Sequence, residues 1–503
     1  MREDVSIEDA AQDAGRLRRA VQEHPGSAAA LYALGVAFVR VGGEEEAEAA
    51  FREAAALRPG WAKAHNALGA TLCRLGRVDD AIESLSVASK LRKDFALPHY
   101  NLGMAFGLRG RYADAADAFR RAAALLPGLA ESHANLAVTL ALLGRHREAA
   151  DAWRNVIRLD PARPGPHAKL GWALCRGGQY RRAAEAFRDA LRADPGCREA
   201  FGGLGWACTE NGDLEAAEEA FRKEAGSSPG EPLPLYNLGT VLGMRGRHEE
   251  AAAWLAEAAR RSPGHVESRF NLGVCLFRLH RHGAAADAFR EALRLRPDYP
   301  KGWYNLGVAL FENGRHEEAA AAFREVVRWQ PGHARARFNL GKVSLALGRG
   351  GQAVREFREA ALQDPGHAAS LYSLGILLLG EGNNEEASDA FRGAVRARAG
   401  YARAHNGLGV ALFRMSRVKE AEEEFREATR LSPSYTRAHY NLGLCLLRRE
   451  DREGASRQLE VLSFLDLSLA QRYAGLRRSR GTTGGDRPPA RPSRGSRRTY
   501  PPM

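Results

Sequence analysis

The sequence predicts an all-α solenoid of short antiparallel helix pairs, and three observations predict it. Leucine followed by a small residue returns every 34 residues, from Leu34 and Leu68 to Leu408 and Leu442, without an insertion or deletion, so that thirteen copies fill residues 28–469. Within each copy, apolar residues recur at helical spacing in two stretches. A glycine separates the stretches in most copies, and a proline usually closes the second. A fixed period of this size marks stacked units that touch only their neighbours, so the chain offers an extended surface rather than one deep core.

The copy from Pro300 to His333 shows the logic. Its first helix is predicted over about Gly302–Glu312 and its second over about His316–Trp329, with Gly314 between them and Pro331-Gly332 turning the chain into the next unit. With Pro300 as position 1, position 8 is Gly in twelve copies and Ala137 in the other, and position 20 is Ala in all thirteen. Gly inside a helix costs about 1 kcal/mol against Ala, so small residues at 8 and 20 are expected to let the two backbones approach. Position 24 supplies bulk, with Phe in nine copies, Trp153 in one and Leu in three.

Leu-Gly at 7 and 8, Ala at 20, an aromatic at 24, frequent Ala at 27 and Pro at 32 together resemble the tetratricopeptide repeat over nearly nine tenths of the chain. The resemblance implies a right-handed superhelical α-solenoid of thirteen repeats, from 28–61 to 436–469. Position 4, usually Trp in that family, is His in six copies (His65, His99, His133, His167, His405 and His439). Lys93, Ala399 and Leu467 replace the Pro at 32, which predicts less sharply turned junctions there.

Composition narrows the function classes. The chain has 503 residues, 27% charged side chains and a formal charge of +13. No apolar run is long enough for a membrane span, and the acidic start MREDVSIEDAAQDAG lacks the apolar core of a secretory signal. Five of the six cysteines fall at positions 10 to 12 of first helices and none forms a C-x-x-C pair, so they read as reduced packing residues and favour a cytoplasmic setting. Thirteen of the fifteen histidines follow repeat positions 4, 17 and 34 rather than a ligand sphere. There is no Walker motif and no catalytic constellation. The reading is a non-enzymatic protein with no cofactor and no metal.

The ends depart from the repeat. Residues 1–27 read as half a unit whose helix caps the apolar end of the first repeat. Asp466 is placed to N-cap a final helix over 466–478, with Leu469, Tyr473 and Leu476 on one face. Residues 479–503 carry six Arg, one Asp, five Pro and four Gly and are expected to be a disordered basic tail. Inside the array, repeat six (198–231) has Gly202, Gly203 and Gly205 in one turn and Glu224 where Ala is usual, which predicts the least stable helix or the most open groove position.

In tetratricopeptide arrays the first helices line the concave face through positions 2, 5, 6, 9, 12 and 13. Carried onto this chain, position 6 gives Asn101, Asn135, Asn237, Asn271, Asn305, Asn339 and Asn441; position 5 includes Tyr236, Phe270, Tyr304 and Phe338. Position 9 gives Trp172 and Trp206, which are expected to form an apolar pocket or to fill against the second helix. Lys301, Arg335, Arg403 and Arg437 at position 2, with Arg278, Arg414 and Arg448 at position 13, give a positive groove over the C-terminal half. An amide both donates and accepts, so such an asparagine ladder suits the backbone of an extended peptide. It resembles the repeat domain of the O-linked N-acetylglucosamine transferases, whose catalytic domain has no counterpart in the few residues after 469.

The reading is a scaffold that binds a protein or extended peptide, acidic in character, along the groove. Two alternatives stand beside it: a regulatory or targeting subunit of a glycosyltransferase-type complex, and an RNA-binding helical repeat. The second is disfavoured by the 34-residue period and by the small residues at 8 and 20.

Overall fold

The computed structural model describes residues 7–482, with 7–10 and 478–482 as backbone only. Among the described residues the chain forms 28 α-helices, from Ile7–Glu23 to Leu467–Thr482, and no strand. Contacts divide the chain into two compact units, Met1–Pro263 and Gly264–Met503. Both consist of consecutive helix pairs, each first helix of 13 or 14 residues followed by a second of 14, as in Pro300–Glu312 with His316–Trp329.

The turn inside a pair forces one residue into the left-handed region. Gly314 has φ 75°. Its N–H donates to Phe311 O and that of Arg315 to Leu310 O, closing the first helix. Ten pairs place Gly at this point; the other three hold His280, Ser416 and Glu450 at φ 58–65°. All three lie in the second unit, and an L side chain there costs about 1–2 kcal/mol.

Packing within a pair follows from positions 8, 20 and 24. All thirteen position-20 alanines, including Ala319 and Ala353, have 0% exposure. The space left by the position-8 glycine is taken mainly by the position-24 side chain of the same pair, not by backbone. A Cβ on Gly307 would lie 2.8 Å from Phe323, and one on Gly171 2.7 Å from Phe187. Backbone also closes in where position 24 is Leu: a Cβ on Gly69 would lie 3.1 Å from the Ala81 carbonyl oxygen, and one on Gly239 3.2 Å from that of Ala251.

Position 4 ties each pair to the turn before it. Trp303 Nε1 donates to the carbonyl of Pro297 at 2.8 Å. The histidines reach the equivalent oxygen: His65 Nε2 lies 2.9 Å from Pro59 O, His167 Nε2 3.0 Å from Pro161 O, and His439 Nε2 2.9 Å from Pro433 O. Among the described residues histidine therefore keeps the bond in five of its six copies, and His99, which follows the Lys93 junction, does not make it. The turns at Lys93 and Ala399 keep a backbone bond also found at Pro331: Phe95 N–H donates to Arg92 O and Tyr401 N–H to Arg398 O, as His333 N–H does to Gln330 O.

The ends are covered. Helix Ile7–Glu23 packs on Ala28–Val41 and buries Ala14. At the other end, Asp466 Oδ1 accepts from Leu469 N–H at 2.9 Å. The final helix continues through Thr482, beyond the expected stop at 478, while Leu476 is exposed. The rest of the basic tail, residues 483–503, lies outside the described residues. In repeat six, helix Arg198–Glu210 is continuous. A Cβ on Gly205 would meet Phe221, one on Gly203 would meet Phe187, and one on Gly202 would meet the Glu224 carboxylate.

Candidate functional site: the first-helix face

First helices of successive pairs approach one another. In the first unit Ala62–Arg74 meets Ala96–Leu108; in the second, Ala368–Glu381 meets Ala402–Arg414, which meets Thr436–Arg448. Among the described residues no two second helices come comparably close. The first helices therefore form the inner, crowded side within each unit.

Position 5 aromatics lie along this side but lean towards the second helix. Tyr304 sits 5.8 Å from Phe323 and Phe338 5.5 Å from Phe357, centroid to centroid. Phe270, 5.5 Å from Phe289, is only 5% exposed, so it belongs to the core and not to the groove surface. Tyr236 is half-buried.

The asparagines are largely engaged by the preceding repeat. Asn339 Nδ2 donates to the Tyr304 hydroxyl at 3.0 Å, and Asn135 Nδ2 to that of Tyr100 at 3.2 Å. Where position 5 is asparagine, the amide serves instead: Asn101 Nδ2 donates to Asn66 Oδ1 at 3.0 Å, and Asn441 Nδ2 to Asn406 Oδ1 at 2.9 Å. Asn305 follows Phe270, which offers no hydroxyl, and turns back to the Lys301 carbonyl at 2.8 Å. Asn237 and Asn271 are both half-buried on the same face. The ladder thus stitches repeats together through one amide N–H, using a bond between position 6 and position 5 of the repeat before.

Trp172 and Trp206 stack on each other at 5.9 Å and 28°. Trp172 also meets Phe187 edge-on at 5.4 Å, and Trp206 meets Tyr180 at 5.7 Å. Trp206 remains 36% exposed. The pair is an exposed aromatic step, half anchored in the core. Beside it, Glu224 occupies the space opposite Gly202, one helical turn from Trp206, where other repeats place a position 5 side chain. Burial pushes its carboxyl up to about 7.

The cations of the second unit are paired unevenly. Among the described residues Lys301, Arg335, Arg403, Arg437, Arg278, Arg414 and Arg448 have no carboxylate partner. Lys301 lies over the Phe270 ring at 5.2 Å, Arg448 over Phe413 at 5.5 Å, and Arg414 donates to Leu379 O at 2.7 Å. On the second helices and their leading turns some arginines are paired, as in Arg290–Asp287, Arg328–Glu325, Arg417–Glu420 and Arg430–Glu427, while Arg294, Arg324, Arg355 and Arg396 have no carboxylate partner among the described residues. At positions 2 and 13 of this unit seven cations stand against two acids, Glu267, which pairs with Arg296, and Glu312, so these positions carry a net positive charge.

The sequence reading passed over the residues at position 34. Tyr401 and Tyr435 line a recess of about 530 Å³ with Arg398, Ala402, Arg403, Ser432 and Ser434. An aromatic immediately before a first helix was the available signal.

The six cysteines are unpaired, and burial pushes the Cys175 thiol up to about 12 and Cys275 and Cys445 up to about 11. Among the described residues no cluster of three or more His, Cys, Asp or Glu is placed to hold a metal, and no helix is long and apolar enough to cross a membrane.

The tetratricopeptide repeat profile matches residues 7–60, 38–94, 66–130, 100–164, 168–232, 236–300, 279–334, 372–436 and 406–459, and a second tetratricopeptide repeat profile matches 310–375. The chain belongs to the tetratricopeptide repeat family. No curated protein matches it. Solved structures are similar to part or most of it. "YrrB: a TPR protein with an unusual peptide-binding site" is 24% identical, with a TM-score of 0.34, over 37% of this chain and 97% of that one. The MamA protein is 24% identical, with a TM-score of 0.33, over 33% and 91%. The Naa15/Naa10 complex bound to HypK-THB is 15% identical, with a TM-score of 0.42, over 90% and 78%.

Proposed function

We propose that this tetratricopeptide protein is a non-enzymatic scaffold that captures acidic, extended protein segments on its first-helix face, with thirteen repeats between residues 28 and 469 as its working surface. One observation carries the reading: the position 2 and position 13 cations of the second unit lack carboxylate partners among the described residues and outnumber the two acids, Glu267 and Glu312, at the same positions. Unpaired charge predominantly of one sign on an inner surface concentrates an oppositely charged ligand and speeds its capture. The asparagine amides, several of which, such as Asn339, keep an N–H and an oxygen lone pair beyond the stitch, supply sequence-tolerant contacts to a peptide backbone.

The test is site-specific photo-crosslinking from Asn339, on the first-helix face, and from Arg328, on a second helix. Partner segments rich in Asp or Glu crosslinking from Asn339 alone support the reading. Crosslinks from Arg328 alone, or none that map to acidic segments, overturn it.

A further inference from the structure

We propose that the recess formed by Arg398, Tyr401, Arg403, Ser432, Ser434 and Tyr435 is a specific site for an oxyanion carried on a bound peptide, a deepening that rests on the scaffold reading above. The recess lies where two consecutive repeat junctions, at Tyr401 and Tyr435, meet the first turn of helix Ala402–Arg414. Each of its six polar side chains carries a hydrogen-bond donor, and none is a carboxylate. A recess whose polar side chains can all donate, two of them guanidiniums and none a carboxylate, favours an anionic acceptor.

The donors are held in place. Arg398 lies over the Tyr401 ring at 5.4 Å, and Tyr401 rests on Tyr372 at 5.1 Å. Asn441 Nδ2 donates to Asn406 Oδ1 at 2.9 Å, and Asn406 Nδ2 donates to the Tyr435 hydroxyl at 3.4 Å. This chain makes the phenol an acceptor from behind and leaves its O–H to donate into the recess. Burial keeps both phenols protonated by pushing them above the ordinary tyrosine value. Neither Arg398 nor Arg403 has a carboxylate partner among the described residues. Arg437, one repeat on, repeats the position of Arg403 and extends the positive rim.

Carboxylate and phosphoryl groups share this chemistry. The experiment titrates the full chain with a labelled oligoglutamate peptide by fluorescence anisotropy, using oligoglutamine as the neutral control and thermal melts to confirm folding. Arg403→Gln should weaken oligoglutamate binding about five- to tenfold, and Tyr435→Phe, which removes one donor and keeps the ring, about three- to tenfold. Arg278→Gln, in the groove but several repeats from the recess, should weaken it less than Arg403→Gln does, and Arg328→Gln, on a second helix outside the groove, less than twofold. Inorganic phosphate that displaces the peptide more strongly than chloride at equal ionic strength would assign the natural ligand to a phosphoryl group. Equal displacement, with the losses above, assigns it to a carboxylate. Equal loss from Arg403→Gln and Arg278→Gln overturns the site while leaving a diffuse basic groove intact. Binding that vanishes on deletion of residues 483–503 and is indifferent to all four substitutions overturns both.

Discussion

Asn339 reaches back 35 residues to donate to the hydroxyl of Tyr304, so a side chain expected to meet a ligand holds neighbouring repeats in register. Tyr304→Phe should therefore destabilise the second unit by about 0.5–1.5 kcal/mol. It should leave peptide affinity unchanged or improved, because the Asn339 amide is released. Chemical denaturation alongside peptide titration measures both. Full stability with weakened binding would return the asparagine to a ligand role.

Ala319 has no exposure and lies where the two helices of a pair touch. Ala319→Leu should cost about 1–3 kcal/mol by overpacking. An unfolding midpoint equal to wild type would mean that the contact has slack.

The three non-glycine residues at left-handed turns invite the opposite substitution. His280→Gly and Ser416→Gly should each leave the native turn unchanged and relieve strain. Part of that gain is lost to the freer unfolded chain, so the net stabilisation is about 0.5–1 kcal/mol. Their effects should add, since the turns are far apart in sequence and share no partner. Destabilisation by either glycine would show that the side chain has a function in the turn.

Glu224 gives a pH dependence whose sign is fixed. Its folded carboxyl titrates near 7, above its ordinary value of 4.5, because burial penalises the charge. A group raised on folding stabilises fully below its unfolded value and loses that contribution as pH climbs through the folded one. Repeats around 198–231 should weaken between about pH 5 and 8, by roughly 1–3 kcal/mol. Glu224→Gln should flatten the profile. Amide exchange resolved along the chain at the two pH values is the measurement, and equal protection of wild type at both would sink the idea.

His405 works in the same direction by a different cause. Its Nδ1 lies 2.6 Å from Glu424 Oε2, and this hydrogen bond raises the imidazole above its ordinary 6.5. The pair stabilises the second unit below pH 6.5 and loses that contribution as pH rises past the raised value. Glu424→Gln should remove this part of the slope, as read from denaturation midpoints at pH 6 and pH 8. An unaltered slope would assign it elsewhere.

The repeat was readable because its constraints are local. Thirteen alanines at one phase announce a contact that admits nothing larger, and position 24 announces the ring that fills the glycine's space. Less readable was direction. Asn305 and Asn339 occupy the same repeat position, yet they bond different groups because one follows Phe270 and the other Tyr304. Phe270 and Trp206 are both large aromatics on first helices, yet one is core and the other is exposed. The Tyr401–Tyr435 recess was missed because its members come from two junctions and an intervening helix, a grouping that only the stacking of repeats creates.

The two sides of the array are joined by different materials. Inner neighbours are stitched by amide–phenol and amide–amide bonds, whereas outer second helices of successive pairs are bridged by ions, as in Arg290–Glu318 and Arg358–Glu386, both 2.8 Å. Dissolved salt screens exposed ion pairs and barely touches short neutral hydrogen bonds. Each unit is therefore a strip with an inextensible lining and a compliant backing. Ionic strength tunes its bending stiffness, so a ligand gripping the lining works against a spring whose constant is set by the surrounding electrolyte.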